Sequence, residues 1–564
     1  MVRIVRHRVR VAATVSRAVR RIALTGVVAL CCCSAAQAAV LVHPGKPVTP
    51  GPRSFQRLQA YPRTLVELDR VRGATATPAL RRAGGVLLEP SLSLWRLPSW
   101  NAQRLLPKLQ RRGLIRTVTP DLPLGTDPRR ADGFFGQFTD PLSASEWWPS
   151  HLGISEWIAP GPGVPVTLID SGVDLGHEEF AGRPSTIALN TQTFTANDEE
   201  LHGTATASVV GAPVNGKGLV GIYPQAKLQL WDASPDGQLT VGDEIAGLAA
   251  ARRRGPGVIN LSLGGFDRLP IEEHAVLNAF GAGLLVVASA GNDRQDGSAP
   301  SFPASFAHVL TVGATDESDR VSVFSSSSAA MDLAAPGQDI TVAIPTVFGQ
   351  GPYATFDGTS FSAPLVSGAA AAVWTERPTL TNTQLFEVMR RSARDVGKRG
   401  WDADTGYGVL NVPAALTRKP PASDPQEPNE DVYLVRPNGL TRAGKTPLTA
   451  QHRPRAAISA SLERREDPED VYRVFLPAKG KVVVTVHTNA NVDLELWGKS
   501  TKTVFERGAA ARRDLLGASA HAGARFERVT LKGRGSSQFV YADVFLPKKG
   551  MQASYKLSVA PAAR

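Results

Sequence analysis

The period of hydrophobic and polar positions changes twice along the chain. From Thr64 to Leu124 the apolar runs are short: Leu65-Val66-Glu67-Leu68, Gly85-Val86-Leu87-Leu88 and Leu92-Ser93-Leu94-Trp95. A helical pattern through Leu105, Leu106, Leu109 and Leu114 follows, and then Ile115 to Leu122. This reads as strand, helix, strand, strand, helix, strand, a small α+β unit of about 60 residues. Between about 165 and 376, buried-type strands (166–169, 228–231, 258–261, 284–288 and 309–312) alternate with helical stretches such as 243–254 and 271–282. That alternation predicts an α/β region, a mainly parallel sheet with helices on both faces. Beyond Pro420, Pro421, Pro425 and Pro428 the period drops to two in Val471–Leu476, Lys481–Val486, Val492–Leu496, Gln538–Leu546 and Tyr555–Val559. A stiff linker followed by an all-β sandwich is expected there.

Composition sets outer limits. With 564 residues, 42% hydrophobic and 20% charged, the chain is globular and long enough for about three or four units. Its 3 cysteines are the consecutive Cys31, Cys32 and Cys33, a spacing that makes neither a disulfide framework nor a four-ligand zinc site. The first 21 residues hold seven Arg and no acid. Apolar Ile22 to Cys33 comes next, and then Ala36-Gln37-Ala38. These are the positive, apolar and small-x-small parts of a secretory signal peptide over 1–38. Its apolar part rises only about 18 Å as a helix against a bilayer of about 30 Å, so a retained anchor is the weaker reading. Arg20-Arg21 leaves the choice between general and twin-arginine export open. A secreted or periplasmic product with no stable membrane span is expected, and residues 41–56 read as a Pro/Gly-rich leader.

The net charge of +12 suggests a nucleic-acid partner until it is divided. Residues 1–38 carry 7 basic and 0 acidic side chains, 39–139 carry 16 and 6, 140–417 carry 15 and 30, and 418–564 carry 25 and 15. The chain is therefore a series of opposed blocks, +7, +10, −15 and +10. Without the first block it carries +5, and without the first two −5. A nucleic-acid partner loses its support, and a basic block preceding an acidic one suggests docking within the molecule.

Three motifs fall at strand ends or helix starts, where open α/β sheets build their sites. Thr167-Leu168-Ile169-Asp170-Ser171-Gly172 puts a carboxylate at the mouth of a strand, and His202-Gly203-Thr204-Ala205 opens a small-residue helix. Gly358-Thr359-Ser360-Phe361-Ser362-Ala363-Pro364 precedes a helix from Leu365 to Thr375. A nucleophilic serine needs a base to take its proton, and the base needs an acid to fix its tautomer. Asp, His, Ser is one of the known orders of such a triad.

With these motifs, residues 140–417 resemble a subtilase, the subtilisin-type serine peptidase family. Further likeness lies in Asp140-Pro141-Leu142 with Trp147 and Trp148, Val220 to Ala226, Asn260 to Gly265, Ser289-Ala290-Gly291-Asn292 and Gly406-Tyr407-Gly408-Val409. The resemblance implies Ser360 as nucleophile, His202 as general base and Asp170 as its orienting acid. It implies an oxyanion hole from the Asn292 side chain and the Ser360 N–H. It also implies that Ser262-Leu263-Gly264 pairs with substrate backbone, and that Gly264, Ala290 and Ser301 line a pocket for the residue before the cut. Ala205 and Phe361 depart from the common pattern, but neither is a triad position. No cofactor is required. Structural calcium is common in the family, yet no ligand set is identifiable, and Asp198-Glu199-Glu200 reads more simply as a solvated loop. His177 is a competing base only on paper, and Gly211 to Gly218 nearly spells a phosphate loop but lacks its Ser or Thr.

Residues 39–139 then resemble a leader plus inhibitory pro-domain, cut off by the enzyme itself between about 125 and 140, with a permanent accessory domain as the alternative. The linker is 418–428. Residues 429–564 resemble the bacterial pre-peptidase C-terminal type of sandwich through Glu427-Pro428-Asn429-Glu430, Glu469 to Val474 and Asn491 to Leu496. The sequence thus points to an exported serine endopeptidase acting on protein or peptide substrates, with its own pro-domain as partner. The rival is a non-catalytic secreted binding or adhesion protein on the same scaffold.

Overall fold

The structure is a computed structural model, describing residues 63–69, 71–121, 129–130, 140–154, 159–193, 201–349, 351–440, 446–523, 525–547 and 552–562. The signal-like segment, the leader and Asp198-Glu199-Glu200 lie outside the described residues.

The first region is a four-stranded antiparallel sheet of β1 (Arg63–Leu68), β2 (Val86–Glu89), β3 (Leu94–Pro98) and β4 (Ile115–Pro120), in the order β2-β3-β1-β4. Alternation along β1 and β3 divides its side chains. Val66, Leu68, Trp95 and Leu97 pack with Leu80 of α1 (Thr77–Arg82) and with Leu106 and Leu109 of α2 (Ser99–Arg111). Leu65 and Leu94 point the other way and join the core of the next region. The strand-helix-strand-strand-helix-strand order matches the sequence reading. Arg129-Arg130 form the short strand β5.

The central region is a parallel sheet of β6 (Pro165–Asp170), β7 (Thr186–Ala188), β8 (Lys227–Asp232), β9 (Val258–Leu261), β10 (Leu285–Ser289), β11 (Val309–Thr315) and β12 (Met331–Pro336). Their order is β12-β11-β10-β9-β6-β8-β7, with every pairing parallel. Strand order reverses at the neighbours β6 and β9, so their carboxyl ends flank the crevice where such sheets bind ligands. Three helices matter for the site: α3 (His202–Gly211), α4 (Val241–Arg254) and α5 (Pro270–Phe280). Thr240 caps α4, Asp243 and Glu244 sit in its first turn, and Arg252 to Arg254 sit in its last, all suited to the helix dipole. Pro270 opens α5, where its missing N–H costs nothing. The long helix α6 (Thr359–Glu376) is buried from Thr359 to Trp374, which its run of Ala, Gly, Val and Ser allows. It starts six residues before the sequence expectation and carries Pro364 inside it.

The basic sheet docks on α4 and α5, but its contacts use both signs of charge. Arg63 pairs with Asp236, and Arg96 with Asp243. In the other direction Glu89 pairs with Arg252 and Glu67 with His274. Asp121 accepts the Gly242 N–H at 2.8 Å, an extra anion at the α4 N-terminus. The strand β5 runs antiparallel to β14 (Tyr353–Asp357), itself paired with β13 (Ile340–Ala343).

After the linker come two four-stranded antiparallel sheets. One is β15 (Ala456–Glu463), β22 (Gln552–Pro561), β17 (Lys481–Thr488) and β20 (Phe526–Lys532). The other is β16 (Glu469–Leu476), β21 (Gln538–Phe545), β18 (Asp493–Trp497) and β19 (Leu515–Ser519). The inward residues of both, among them Val484, Leu496, Val544 and Leu557, fill one core. The sandwich was expected, although β15, β19 and β20 were not read. Among the described residues no helix is long and apolar enough to cross a membrane.

Candidate active site

The crevice at β6 and β9 gathers the motif residues. Asp170 ends β6, and its Oδ1 accepts from the Ser171 N–H at 2.8 Å and lies 2.7 Å from His202 Nδ1. Oδ2 accepts the Thr206 hydroxyl at 3.0 Å, one turn along α3. A carboxylate can only accept, so Nδ1 carries the proton and Nε2 presents a lone pair. His202 is brought this close because Gly203 has no side chain: a Cβ there would stand 2.0 Å from the Ser171 carbonyl oxygen. Asp170 and His202 are both buried, and His202 Nε2 has no hydrogen-bond partner among the described residues.

Ser360 is the second residue of α6, so its N–H has no partner within the helix. Its hydroxyl points to the Ser262 carbonyl at 3.4 Å and makes no hydrogen bond to His202. The Ser262 hydroxyl donates in return to the Ser360 carbonyl at 2.8 Å. Pro364 explains that return contact. Residue 364 would normally donate to the Ser360 carbonyl, and proline has no N–H. The chain continues inward through Asn260, which donates to Ser262 Oγ at 3.0 Å and accepts from Ser367 Oγ at 2.9 Å.

Asn292 lies beside the same helix end. Its Oδ1 accepts both the N–H and the hydroxyl of Thr359, each at 2.9 Å, which fixes the amide plane and leaves Nδ2 as the end able to donate elsewhere. Sequence reasoning missed Thr359 in this role, although its place just before Ser360 was the available signal.

Of the residues expected to line a substrate pocket, Gly264 and Ser301 lie against each other. A Cβ on Gly264 would stand 2.5 Å from Ser301 Oγ, and one on Gly291, next to Ala290, 3.6 Å from Ser301 Cβ. Gly265 is already paired in both directions with Phe302 at 2.8 Å. Leu263 differs from its neighbours. Its side chain lies in the apolar core, so only its backbone is open to a substrate role.

Other motifs have structural uses. His177 is buried, with Nδ1 accepting from the Glu179 N–H and Nε2 bound to the Pro352 carbonyl at 2.8 Å. The near-phosphate loop turns its N–H groups at Asn215, Gly216 and Lys217 onto Asp140 Oδ1, so it cradles the protein's own carboxylate. Phe361 is buried between Phe356 and His202, with ring centroids 6.1 Å away on each side. Glu179 stands near by with its carboxyl pushed up to about 7, chiefly by burial.

A parallel sheet with a buried carboxylate–imidazole pair and a serine at a helix start, all in the switch crevice, has the parts of a serine hydrolase. Comparison with known proteins makes this specific. Residues 161–408 match the model of the subtilase family, peptidase S8. Subtilisin E of Bacillus subtilis is 33% identical over 276 residues, covering 47% of this chain and 70% of that protein. Subtilisin of Bacillus pumilus is 32% identical, over 97% of its own length. Among solved structures, fervidolysin of Fervidobacterium pennivorans aligns with a TM-score of 0.55 at 19% identity, covering 85% of this chain and 86% of that one. The chain belongs to the subtilase family and is a serine-type endopeptidase.

Proposed function

We propose that this chain is the precursor of an exported endopeptidase that cuts peptide bonds with Asp170, His202 and Ser360. The reading is carried by the 2.7 Å Asp170–His202 contact beside the helix end that bears Ser360. A rotation about χ1 of Ser360 exchanges the Ser262 carbonyl for His202 Nε2 as the acceptor of its hydroxyl. His202 then takes the proton as Oγ attacks the scissile carbonyl, and Asp170 stabilises the imidazolium. The oxyanion receives the Asn292 Nδ2–H and the Ser360 N–H at the positive end of α6. His202 returns the proton to the leaving amine, and water repeats the sequence to release the acyl group. Ser262 to Gly264 hold the substrate backbone by strand addition.

Small residues at Gly264, Ala290 and Ser301 leave room for a large apolar side chain before the cut. A peptide panel cleaved equally after Gly and after Phe or Leu would overturn that preference. Residues of about 60–124 act as the inhibitory pro-segment, supported by their docking on α4 and α5. Cleavage falls between about 125 and 140, and the signal-like first 38 residues direct export. A fluorophosphonate probe should label Ser360 on the mature secreted protein, and Ser360→Ala should leave an uncut exported precursor. No adduct on mature protein would favour the non-catalytic rival, and normal trimming of the variant would exclude self-processing.

A further inference from the structure

The sandwich keeps its two signs of charge apart. Residues 418–564 hold 25 basic and 15 acidic side chains. None of the 15 acids is exposed: some are half-buried, and others, such as Glu427, Glu466, Asp470, Glu527 and Asp543, are buried. Every exposed charged side chain among the described residues of this region is therefore basic, and part of that charge gathers on one surface. In the sheet β15-β22-β17-β20, Val482, Val484 and Val486 of β17, Val529 and Leu531 of β20, and Leu557 and Val559 of β22 fill the core. The residues alternating with them face outward. Lys481 and His487 of β17, Phe526, Arg528 and Lys532 of β20, and Lys556 of β22 are all exposed there.

Register brings these side chains together. Lys481 stands opposite Lys532, Arg528 opposite Thr485, and His487 between Phe526 and Lys556. Directly opposite side chains lie about 5 Å apart, and like charges in that position destabilise a sheet. The Lys481–Lys532 pair carries that cost, and no acid stands among the exposed residues of the face to offset it. Ion pairs within the sandwich join Arg465 to Glu463, Arg513 to Asp514 and His521 to Glu527, and among the described residues none uses Lys481, Arg528, Lys532 or Lys556. The hydroxyls of Thr485, Thr530 and Ser558 lie between the cations on the same face. At one end the Phe526 ring is 43% exposed, with its centroid 5.0 Å from that of His487. Four cations, a row of hydroxyls and an open ring thus share a surface that serves no contact within the sandwich.

We propose that this face binds an acidic polysaccharide, a linear glycan with carboxylate groups along its length, and holds the peptidase against it. The cations are spread out, Arg528 and Lys532 being about 13 Å apart along β20, which suits a polyanion better than one small anion. The hydroxyls between them can exchange hydrogen bonds with sugar hydroxyls, and the Phe526 ring can pack on the C–H face of a sugar. A nucleic acid would call for several rings on which successive bases stack, and an anionic bilayer for several apolar side chains to enter it. Phe526 is the only large apolar side chain exposed on this face among the described residues. The inference goes beyond the catalytic reading and does not rest on it.

The test uses the full chain in a Ser360→Ala background and measures its binding to immobilised polygalacturonate at rising salt. The parent should bind, with affinity falling as salt rises. Lys481→Ala with Lys532→Ala should weaken binding about tenfold, through the loss of two charge-assisted contacts, without lowering Tm. Phe526→Ala should weaken binding severalfold at every salt concentration. Lys499→Ala with Lys502→Ala removes the same charge from exposed positions just after β18, in the other sheet, and should leave binding unchanged. Equal losses in the two double variants overturn the proposal, because binding would then follow net charge alone. So does a parent that does not bind, a Phe526→Ala variant that binds as its parent does, or tighter binding to single-stranded DNA or to phosphatidylglycerol vesicles than to polygalacturonate.

Discussion

Thr359 gives both its N–H and its hydroxyl to Asn292 Oδ1, each at 2.9 Å. The residue next to the proposed nucleophile therefore sets the direction of the proposed oxyanion donor. Its hydroxyl also accepts the Gly291 N–H at 3.2 Å, tying the Asn292 loop to the start of α6. Thr359→Val keeps the shape and the backbone donor but removes the hydroxyl. It should lower kcat about 10-fold with KM little changed, below the roughly 10²–10³ expected for Asn292→Ala. A loss confined to KM would show that Thr359 does not act through the transition state.

Ser262 and Pro364 form a second pair whose effects should be linked. The Ser360 carbonyl is buried, lacks a helical donor because of Pro364, and relies on Ser262 Oγ at 2.8 Å. Ser262→Ala should cost about 1–3 kcal/mol by leaving that oxygen unsatisfied. Adding Pro364→Ala restores an N–H at the right place and should recover part of the loss. Additive losses in the double variant, measured by thermal unfolding in the Ser360→Ala background, would rule out this link.

These pairs show where sequence stopped being informative. The alternation of strands and helices disclosed the parallel sheet, and the motifs around Asp170, His202 and Ser360 stood out because each is a local run at a strand end or helix start. Pro364 was read as lying outside α6, since a proline inside a helix is ordinarily disfavoured; Ser262, 102 residues away, compensates for it. The strands β15, β19 and β20 escaped because sheet pairing is non-local and their alternation is diluted by Ala, Ser, Glu and Lys.

Alkaline pH should weaken the fold through Glu244 and Glu272. These carboxyls are 0% and 1% exposed on α4 and α5. Burial pushes Glu244 up to about 8, and burial with the neighbouring Glu244 and Glu273 charges pushes Glu272 well above its ordinary range. The folded state therefore holds protons that the unfolded chain has lost above its carboxyl pKa of about 4.5. That contribution is whole below about 4.5 and is lost as pH rises through about 8. Thermal unfolding of the Ser360→Ala protein between pH 6 and 9 should show Tm falling, and Glu244→Gln should flatten the fall. An unchanged slope in the variant would remove Glu244 from the explanation.

Arg96 should control how firmly the first sheet stays docked. Its guanidinium lies 2.8 Å from Asp121 and 3.0 Å from Asp243, and it donates to Thr240 Oγ1 at 3.2 Å, so one side chain joins the sheet to the capped start of α4. Asp121 is buried, and its other oxygen already accepts the Gly242 N–H. Arg96→Ala leaves two neighbouring carboxylates without their shared cation and should destabilise the docked state by about 3 kcal/mol, the low end for breaking a buried pair. Arg96→Lys should recover only part, because a single ammonium cannot span both carboxylates as the planar fork does. Once the proposed cleavage between about 125 and 140 has occurred, the measurement is co-elution of the first region with the remainder of the chain during gel filtration. Arg96→Ala should release that region earlier in a dilution series, and unchanged co-elution would mean that the apolar contacts of Leu65, Leu92 and Leu94 are sufficient to hold the sheet.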